Sequence, residues 1–352
     1  MAMRFSFDPD LIANARQLIL HNPGLNMLRP EHEGQYSPLV VAIEAELKKR
    51  DAAGLLLLPD LSALANSTVG IFSDYGGEHS SSSYLTYSFL ICAWGSLDTF
   101  RMKMKELRSE CGLGDKEIEF KDFGMGVVRN ALLPYLDVLN GYVPGLLFTV
   151  VVHKRIVSLF GPQGRSTGNA LVKRLEEQGF GKLKPQVAEK ALRVVHTAAF
   201  LTALLGHERQ KIFWMSDHDA ICPDLKAHNR LLALFHNVLN LYTSRQFGLI
   251  GGALPFSERS TDYLDLLSAA DIVAGSVGQY FTDRDKVGER NASVKEGAEK
   301  ILVWLGHDGL ALKKLCIQLC LDEDGKIRFG AIEFEPKRTR DTITFLPVHW
   351  CR

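Results

Sequence analysis

The sequence lacks the cysteine patterns that mark disulfide-rich and zinc-binding proteins. None of its six cysteines forms a Cys-x-x-Cys pair, and several lie inside apolar runs such as residues 89–94. Buried free thiols are therefore favoured over disulfides or a metal site. Free thiols indicate a reducing compartment.

The sequence also lacks a net charge and a long apolar run. Lysine plus arginine and aspartate plus glutamate number 41 each, so no global positive field recruits nucleic acid or an anionic membrane. The longest apolar stretches, 84–94 and 143–152, are shorter than the roughly 20 residues that a membrane span needs. The first ten residues carry Asp8 and Asp10 and no apolar run, which predicts no secretory signal. We therefore expect a cytoplasmic protein with no membrane partner.

Three common catalytic motifs are absent as well. The glycine-rich stretch 161–168 lacks the Gly-Lys-Ser/Thr ending of a phosphate-binding loop, and His207-Glu208 lacks the second histidine of a zinc protease. There is no Gly-x-Ser-x-Gly elbow of a serine hydrolase. These three enzyme classes are not predicted.

The composition that remains is that of a folded protein. The chain of 352 residues is 46% hydrophobic and 23% charged, which predicts one main core with terminal additions. We expect a helical N-terminal extension over 1–66 and a core over 67–285 with an insertion around 158–186. A C-terminal helix and β-hairpin should occupy 286–352.

The spacing of apolar residues predicts alternating strands and helices, and therefore an α/β fold. Helices are expected within 9–65 and at 97–111, 125–139, 187–205, 224–240 and 263–280. Strands are expected at 68–74, 84–94, 145–153, 211–217 and 247–253, with a final hairpin of 315–321 and 326–334. Residues 117–122 should form a short strand or an extended segment.

Four acidic residues stand out by their context. Asp74 and Asp217 end apolar strands, Glu119 lies in the short alternating segment, and Asp271 lies in a helix of mostly small residues. Burial of a carboxylate at such a position is costly unless a partner or a cation offsets the lost hydration. Mg²⁺ and Mn²⁺ take oxygen ligands, and two such ions can clamp the attacking and leaving oxygens of a phosphodiester. The pattern predicts a shared metal site.

Each acid also has a simpler explanation when it is taken alone. An aspartate that closes a strand is commonly a turn or capping residue, which is the favoured interpretation of Asp217 by itself. For Asp271 the alternative is a pairing with a buried arginine or a backbone amide. Asp219 competes with Asp217 as a ligand, whereas His218 would point to the opposite face if the strand continued.

The four motifs together resemble a family of bacterial and phage proteins known as domain of unknown function 3800, which belongs to the ribonuclease H-like clan. The resemblance covers roughly residues 68–281. It is carried by Ile71-Phe-Ser-Asp74-Tyr-Gly-Gly, Glu117-Ile-Glu119-Phe-Lys121, Ile212-Phe-Trp-Met-Ser-Asp217 and Leu267-Ser-Ala-Ala-Asp271-Ile-Val-Ala-Gly275.

The resemblance implies a ribonuclease H-like mixed sheet flanked by helices. It implies that Asp74, Glu119, Asp217 and Asp271, with Asp219 as an alternative third ligand, hold Mg²⁺ or Mn²⁺. Lys121 resembles the lysine of the family motif, which would meet a phosphate or neutralise the acids; a plain surface lysine is the equal alternative.

This sequence departs from the family pattern at two further positions. Tyr75 stands where the family often has a glutamate, for which Glu78 could substitute from the following loop, and Ser268 stands where the family tends to have glutamine. The expected function is a metal-dependent nuclease or a related phosphodiester-processing enzyme with nucleic acid as its partner.

The alternative is a catalytically inactive ribonuclease H-like binding or scaffold protein. Such a protein would belong to a phage-defence or mobile-element system and recruit a protein partner through the N-terminal helices, which is an argument by analogy.

Overall fold

The computed structural model describes residues 19–20, 36–255, 260–288 and 292–334. The strands are β1 (Ile19–Leu20), β2 (Leu58–Pro59), β3 (Thr68–Gly76), β4 (Tyr84–Ala93), β5 (Gly145–His153), β6 (Lys211–Ser216), β7 (Leu249–Ala253), β8 (Leu312–Leu321) and β9 (Ile327–Ala331). The α-helices are α1 (Pro38–Ala52), α2 (Asp98–Cys111), α3 (Gly126–Tyr142), α4 (Arg165–Glu177), α5 (Pro185–Leu205), α6 (Leu225–Tyr242), α7 (Thr261–Val287) and α8 (Glu296–Leu305).

Seven of the strands form one mixed sheet in the order β7-β6-β3-β4-β5-β8-β9. β3, β4 and β5 are antiparallel neighbours, whereas β6 runs parallel to β3 and β7 runs parallel to β6. β8 runs parallel to β5, so the C-terminal hairpin extends the same sheet at its other edge. The predicted α/β class is confirmed.

Helices cover both faces of the sheet. Alternation along β3 sends Ile71 into the hydrophobic core that includes α1, α5 and α6 and sends Phe72 into the core that includes α2, α3, α7 and α8. Strands covered on both faces are apolar almost throughout, and in β5 every residue except His153 is buried. A polar side chain on β3 therefore lies beneath a helix.

The structure differs from the predicted elements in three places. Ile19–Leu20 pairs with Leu58–Pro59 as a short strand, where helical spacing predicts helix; residues 9–18 and 21–35 lie outside the described residues. Residues 117–122 form no strand, because the chain is extended only to Glu119 and then makes a 3-10 turn over 120–122. The insertion around 158–186 contains helix α4, for which no element is predicted.

The described cysteines are free thiols. Cys92, Cys222 and Cys316 are buried, Cys111 and Cys320 are half-buried, and Cys351 lies outside the described residues. Burial raises the pKa of Cys222 to about 12, so this thiol is not poised to react. None of the helices described here has both the length and the apolarity that crossing a membrane requires.

Candidate acidic site

Asp74 lies near the end of the central strand β3. Its side chain follows Phe72 on the face beneath α7, and the residue is buried. The backbone N–H of Tyr75 donates a hydrogen bond to Asp74 Oδ1 at 2.5 Å. A strand covered on both faces thus places one carboxylate beneath a helix.

Asp271 reaches the same place from α7. The backbone N–H of Phe120 donates to Asp271 Oδ2 at 2.6 Å, which ties the 3-10 turn to the helix. A Cβ atom at Gly275 would lie 2.3 Å from the Phe120 ring, so only glycine allows this turn to approach α7 so closely. The small residues of α7 therefore bring Asp271 and the segment of Glu119 together.

The carboxyl groups of Asp74 and Asp271 share a hydrogen bond and repel each other as charges. Burial, followed by the charges of Asp271 and Asp217, raises the pKa of Asp74 well above its usual range. Burial raises the pKa of Asp271 to about 6, although the hydrogen bond from Phe120 lowers it. The two carboxyl groups are therefore coupled, and burial beside other acids disfavours ionisation of the pair.

Asp217 and Glu119 lie within electrostatic reach of this pair. Asp217 follows the last residue of β6, and its backbone N–H donates to the carbonyl of Ser73 at 2.9 Å. Burial raises the pKa of Asp217, and the charges of Asp219 and Glu119 add to the effect. Glu119 accepts a hydrogen bond at 2.8 Å from Lys121, whose side chain is 73% exposed. The described residues bring no lysine or arginine into an ion pair with Asp74, Asp217 or Asp271.

Asp219 and Glu78 belong to a different cluster. Both carboxylates pair with Lys190 of α5, whose Nζ lies 4.7 Å from the ring centre of Tyr75. The Tyr75 hydroxyl lies 3.0 Å from Ser216 Oγ, on the face away from Asp74. Asp219 as a third ligand and Glu78 as a substitute glutamate are therefore not brought to the acid pair, because both are held by Lys190.

His218 does not continue β6, which ends before it. Its Nε2 lies 3.1 Å from the carbonyl of Pro223, in the loop that precedes α6. The turn after the strand therefore separates Asp217 from Asp219 and directs them to different partners.

Sequence reasoning missed one buried ion pair beside the site. Asp265, also on α7, accepts a hydrogen bond at 3.0 Å from Arg108 Nε of α2, and both side chains are almost fully buried. The arginine partner considered for Asp271 thus pairs with Asp265 instead. No local pattern signals the pair, because α2 and α7 meet only in the folded chain.

A cleft of about 490 Å³ opens above the acid pair. Gly275 and Gly278 of α7 form part of its wall, and because glycine has no side chain, a ligand could approach the helix backbone there. His79 and Lys286 add groups that carry or can carry positive charge. Carboxylates are thus combined with cationic groups in one concave site, which suits a ligand that itself carries anionic groups.

Carboxylate oxygens are the type of donor that a hard cation such as Mg²⁺ takes. In the part of the chain that the structure describes, no three His, Cys, Asp or Glu side chains are arranged to hold a metal ion together. Mg²⁺ is commonly bound by only one or two carboxylates and completes its shell with waters and substrate phosphates. Asp74, which is buried, and Asp271, which is half-buried, supply such a pair and have no lysine or arginine partner among the described residues.

No protein-family model matches the chain, and no curated protein sequence is significantly similar to it. The resemblance drawn from the four sequence motifs therefore stays a hypothesis that rests on those motifs alone.

Proposed function

We propose that the chain is a divalent-cation-dependent nuclease or a related phosphodiester-processing enzyme, and that its core is ribonuclease H-like. The observation that carries the proposal is the pair of buried Asp74 and half-buried Asp271 in an open cleft, with no lysine or arginine in an ion pair with it among the described residues. Asp217 and Glu119 add negative charge to the same place.

The electrostatics of the pair favour a cation. Two neighbouring carboxyl groups in a desolvated site each make the ionisation of the other less favourable. A divalent cation between them would offset this electrostatic repulsion. Mg²⁺ or Mn²⁺ held by Asp74 and Asp271 would activate a water and stabilise the leaving oxygen of a phosphodiester. Asp217 and Glu119 would hold the waters that complete the shell of the ion. Lys286 on the cleft wall would meet phosphate oxygens, as would Lys121 from its position beside Glu119.

The strand order supports the ribonuclease H-like core. Three consecutive antiparallel strands, β3 to β5, are followed by β6 and β7, which add in parallel on the other side of β3. This arrangement puts Asp74 on β3 and Asp217 directly after the neighbouring parallel strand β6, so both carboxylates lie at the same end of these two strands. The hairpin of β8 and β9 would be an addition to that core.

The positions of Tyr75 and Glu78 favour a second function, that of a non-catalytic binding protein. Tyr75 lies on the face away from the acids, and Glu78 is held by Lys190, so the glutamate that the family pattern offers is not present in the cleft. Such a protein would keep the fold and bind nucleic acid or a protein partner without cleaving it.

Cleavage of labelled nucleic acids tests the proposal. The purified protein with Mg²⁺ or Mn²⁺ should cleave single-stranded RNA or DNA, duplex DNA or an RNA–DNA hybrid, and Asp271→Asn should abolish cleavage. Asp262→Asn is the matched control, because Asp262 lies half-exposed in the first turn of the same helix. Equal cleavage by the wild type and Asp271→Asn would disprove the proposed site.

Binding of Mn²⁺, measured by calorimetry, separates the two functions. Mn²⁺ binding that Asp271→Asn removes, together with no cleavage of any substrate, would favour the binding protein. No Mn²⁺ binding by the wild type would contradict the proposed cation site.

A further inference from the structure

A second cavity, of about 760 Å³, lies on the sheet face opposite the acid cleft. Its volume falls in the range of roughly 300–1,000 Å³ that is typical of small-molecule sites. It lies beside the ends of β4 and β5, between the N-terminal ends of α4 and α5. Residues that line it include Leu85, Tyr87, Lys154, Val157, Gly168 and Gln186.

The walls of this cavity are mainly apolar. Leu85 and Tyr87 of β4, Ile156 and Val157 after β5, and Val187 of α5 face the space. Val157 is 54% exposed, so part of this apolar wall is open to solvent. A ligand with an apolar body would cover surface that is otherwise left in water.

Two of the three cationic side chains on the cavity wall are in ion pairs with carboxylates. Arg193 Nε donates to Glu189 at 2.9 Å, and both residues are buried, so this pair is neutral. Lys190 is matched by Glu78 on the wall and by Asp219 behind it.

Lys154 is the lysine on this wall that pairs with no carboxylate among the described residues. It is half-buried, and its Nζ donates to the carbonyl of His79 at 2.6 Å. Burial lowers the pKa of its ammonium group, although the charge of Glu78 raises it. An anion in the cavity would give this ammonium group an ion pair, which it lacks among the described residues.

Two helix ends add positive potential. α5 begins at Pro185 with no side-chain cap from Lys184 and no acidic residue in its first turn, and Gln186 and Val187 of that turn line the cavity. α4 follows Gly164, which likewise provides no side-chain cap, and its first turn has no acidic residue. The partial positive charge of both helix N-termini therefore adds to that of Lys154.

We propose that this cavity binds a small amphipathic organic anion. Its apolar body lies against Leu85, Tyr87 and Val157, and its carboxylate, sulfonate or phosphate group pairs with Lys154 near the first turn of α5. This site is separate from the acid cleft and does not depend on the proposed nuclease activity.

Two fluorescent probes of similar shape test the assignment with the full chain. 1-Anilinonaphthalene-8-sulfonate carries one anionic group on an aromatic body, and N-phenyl-1-naphthylamine has nearly the same body without the charge. The wild type should bind the sulfonate with one saturable site and more tightly than the neutral probe. Lys154→Met, which keeps an unbranched apolar stem, should weaken sulfonate binding about tenfold, as expected for loss of one charge-assisted contact. Binding of the neutral probe should be unchanged.

Lys173→Met is the matched control, because Lys173 lies on α4 with its side chain 78% exposed and does not line the cavity. Leu85→Trp fills the cavity and should remove binding of both probes, with far-UV circular dichroism checking that each variant is folded. No saturable sulfonate binding by the wild type overturns the proposal. Equal effects of Lys154→Met and Lys173→Met also overturn it, as does equal weakening of both probes by Lys154→Met.

Discussion

Replacing Asp271 with asparagine should stabilise the protein at neutral pH when divalent cations are absent. The raised pKa, from 3.8 to about 6, reflects a carboxylate that is buried beside other acids. That rise corresponds to about 3 kcal/mol of unfavourable ionisation at pH 7. Asparagine keeps an oxygen that accepts the hydrogen bond of the Phe120 N–H and removes the charge. We expect Asp271→Asn to raise the free energy of unfolding by about 1–3 kcal/mol.

The effect should depend on pH in a defined direction. Because the folded-state pKa of Asp271 lies above the unfolded-state value, the folded chain binds more protons between about pH 4 and pH 6. Wild-type stability therefore falls as pH rises through this window, and the advantage of the variant grows with it. Urea unfolding at pH 7.5 and pH 4, with EDTA present, measures both ends. The advantage should be largest at pH 7.5 and nearly absent at pH 4.

Asp265→Asn is the control on the same helix. Asp265 is also buried, but it pairs with Arg108, so its removal leaves an uncompensated buried guanidinium group. This variant should lose about 3 kcal/mol at pH 7.5. The reasoning would be refuted if Asp271→Asn lost stability at pH 7.5 as Asp265→Asn does, or if it gained the same stability at pH 4 and pH 7.5.

Three further predictions concern the cation and the contacts around the site. Mg²⁺ or Mn²⁺ at about 100 times its dissociation constant should stabilise the wild type by about 2.7 kcal/mol in thermal unfolding and leave Asp271→Asn unchanged; an equal gain in the variant would place the ion elsewhere. Gly275→Ala should cost about 1–3 kcal/mol in urea unfolding, because its Cβ would meet the Phe120 ring, and an unchanged midpoint would contradict that contact. Lys190→Met should lower the free energy of unfolding by about 3 kcal/mol at pH 7.5 and by less at pH 4, because Glu78 and Asp219 lose their cationic partner. A loss in urea unfolding that does not depend on pH would contradict this role.

The sheet and one part of the acidic site could be predicted from the sequence. Apolar runs define β3 to β6 because strands covered on both faces have almost no polar residues, and an acid at the end of such a run stands out. Asp74 was identifiable for this reason, and Asp271 was identifiable because it lies in a helix of mostly small residues. The proximity of these two residues depends on the packing of α7 against β3. The small residues of α7 are only an indirect signal of that packing.

The other ligand candidates could not be assigned from the sequence. Asp217 and Asp219 both lie in the turn after β6, so the sequence does not tell them apart as ligands. Nothing in the local sequence indicates that Lys190, on a helix that precedes β6, forms an ion pair with Asp219. Glu119 was expected in a short strand or an extended segment; its backbone is extended, but the chain then turns into a 3-10 helix at Phe120, whose N–H bonds to Asp271. Tertiary contacts decide both cases, and local propensity does not contain them.

The parallel pairings of the sheet constrain how the chain can fold. Phe72 of the central strand pairs with Met215, and Phe148 pairs with Leu315, so both pairings join segments that are far apart in the chain. Such contacts form slowly, because closing a long loop has a large entropic cost. The antiparallel strands between Thr68 and His153 are closer in the chain and can pair earlier. During synthesis the backbone groups on one edge of β3 therefore stay unpaired until β6 has left the ribosome. An unpaired strand edge can pair with the wrong strand, so misfolding is most favoured in this interval.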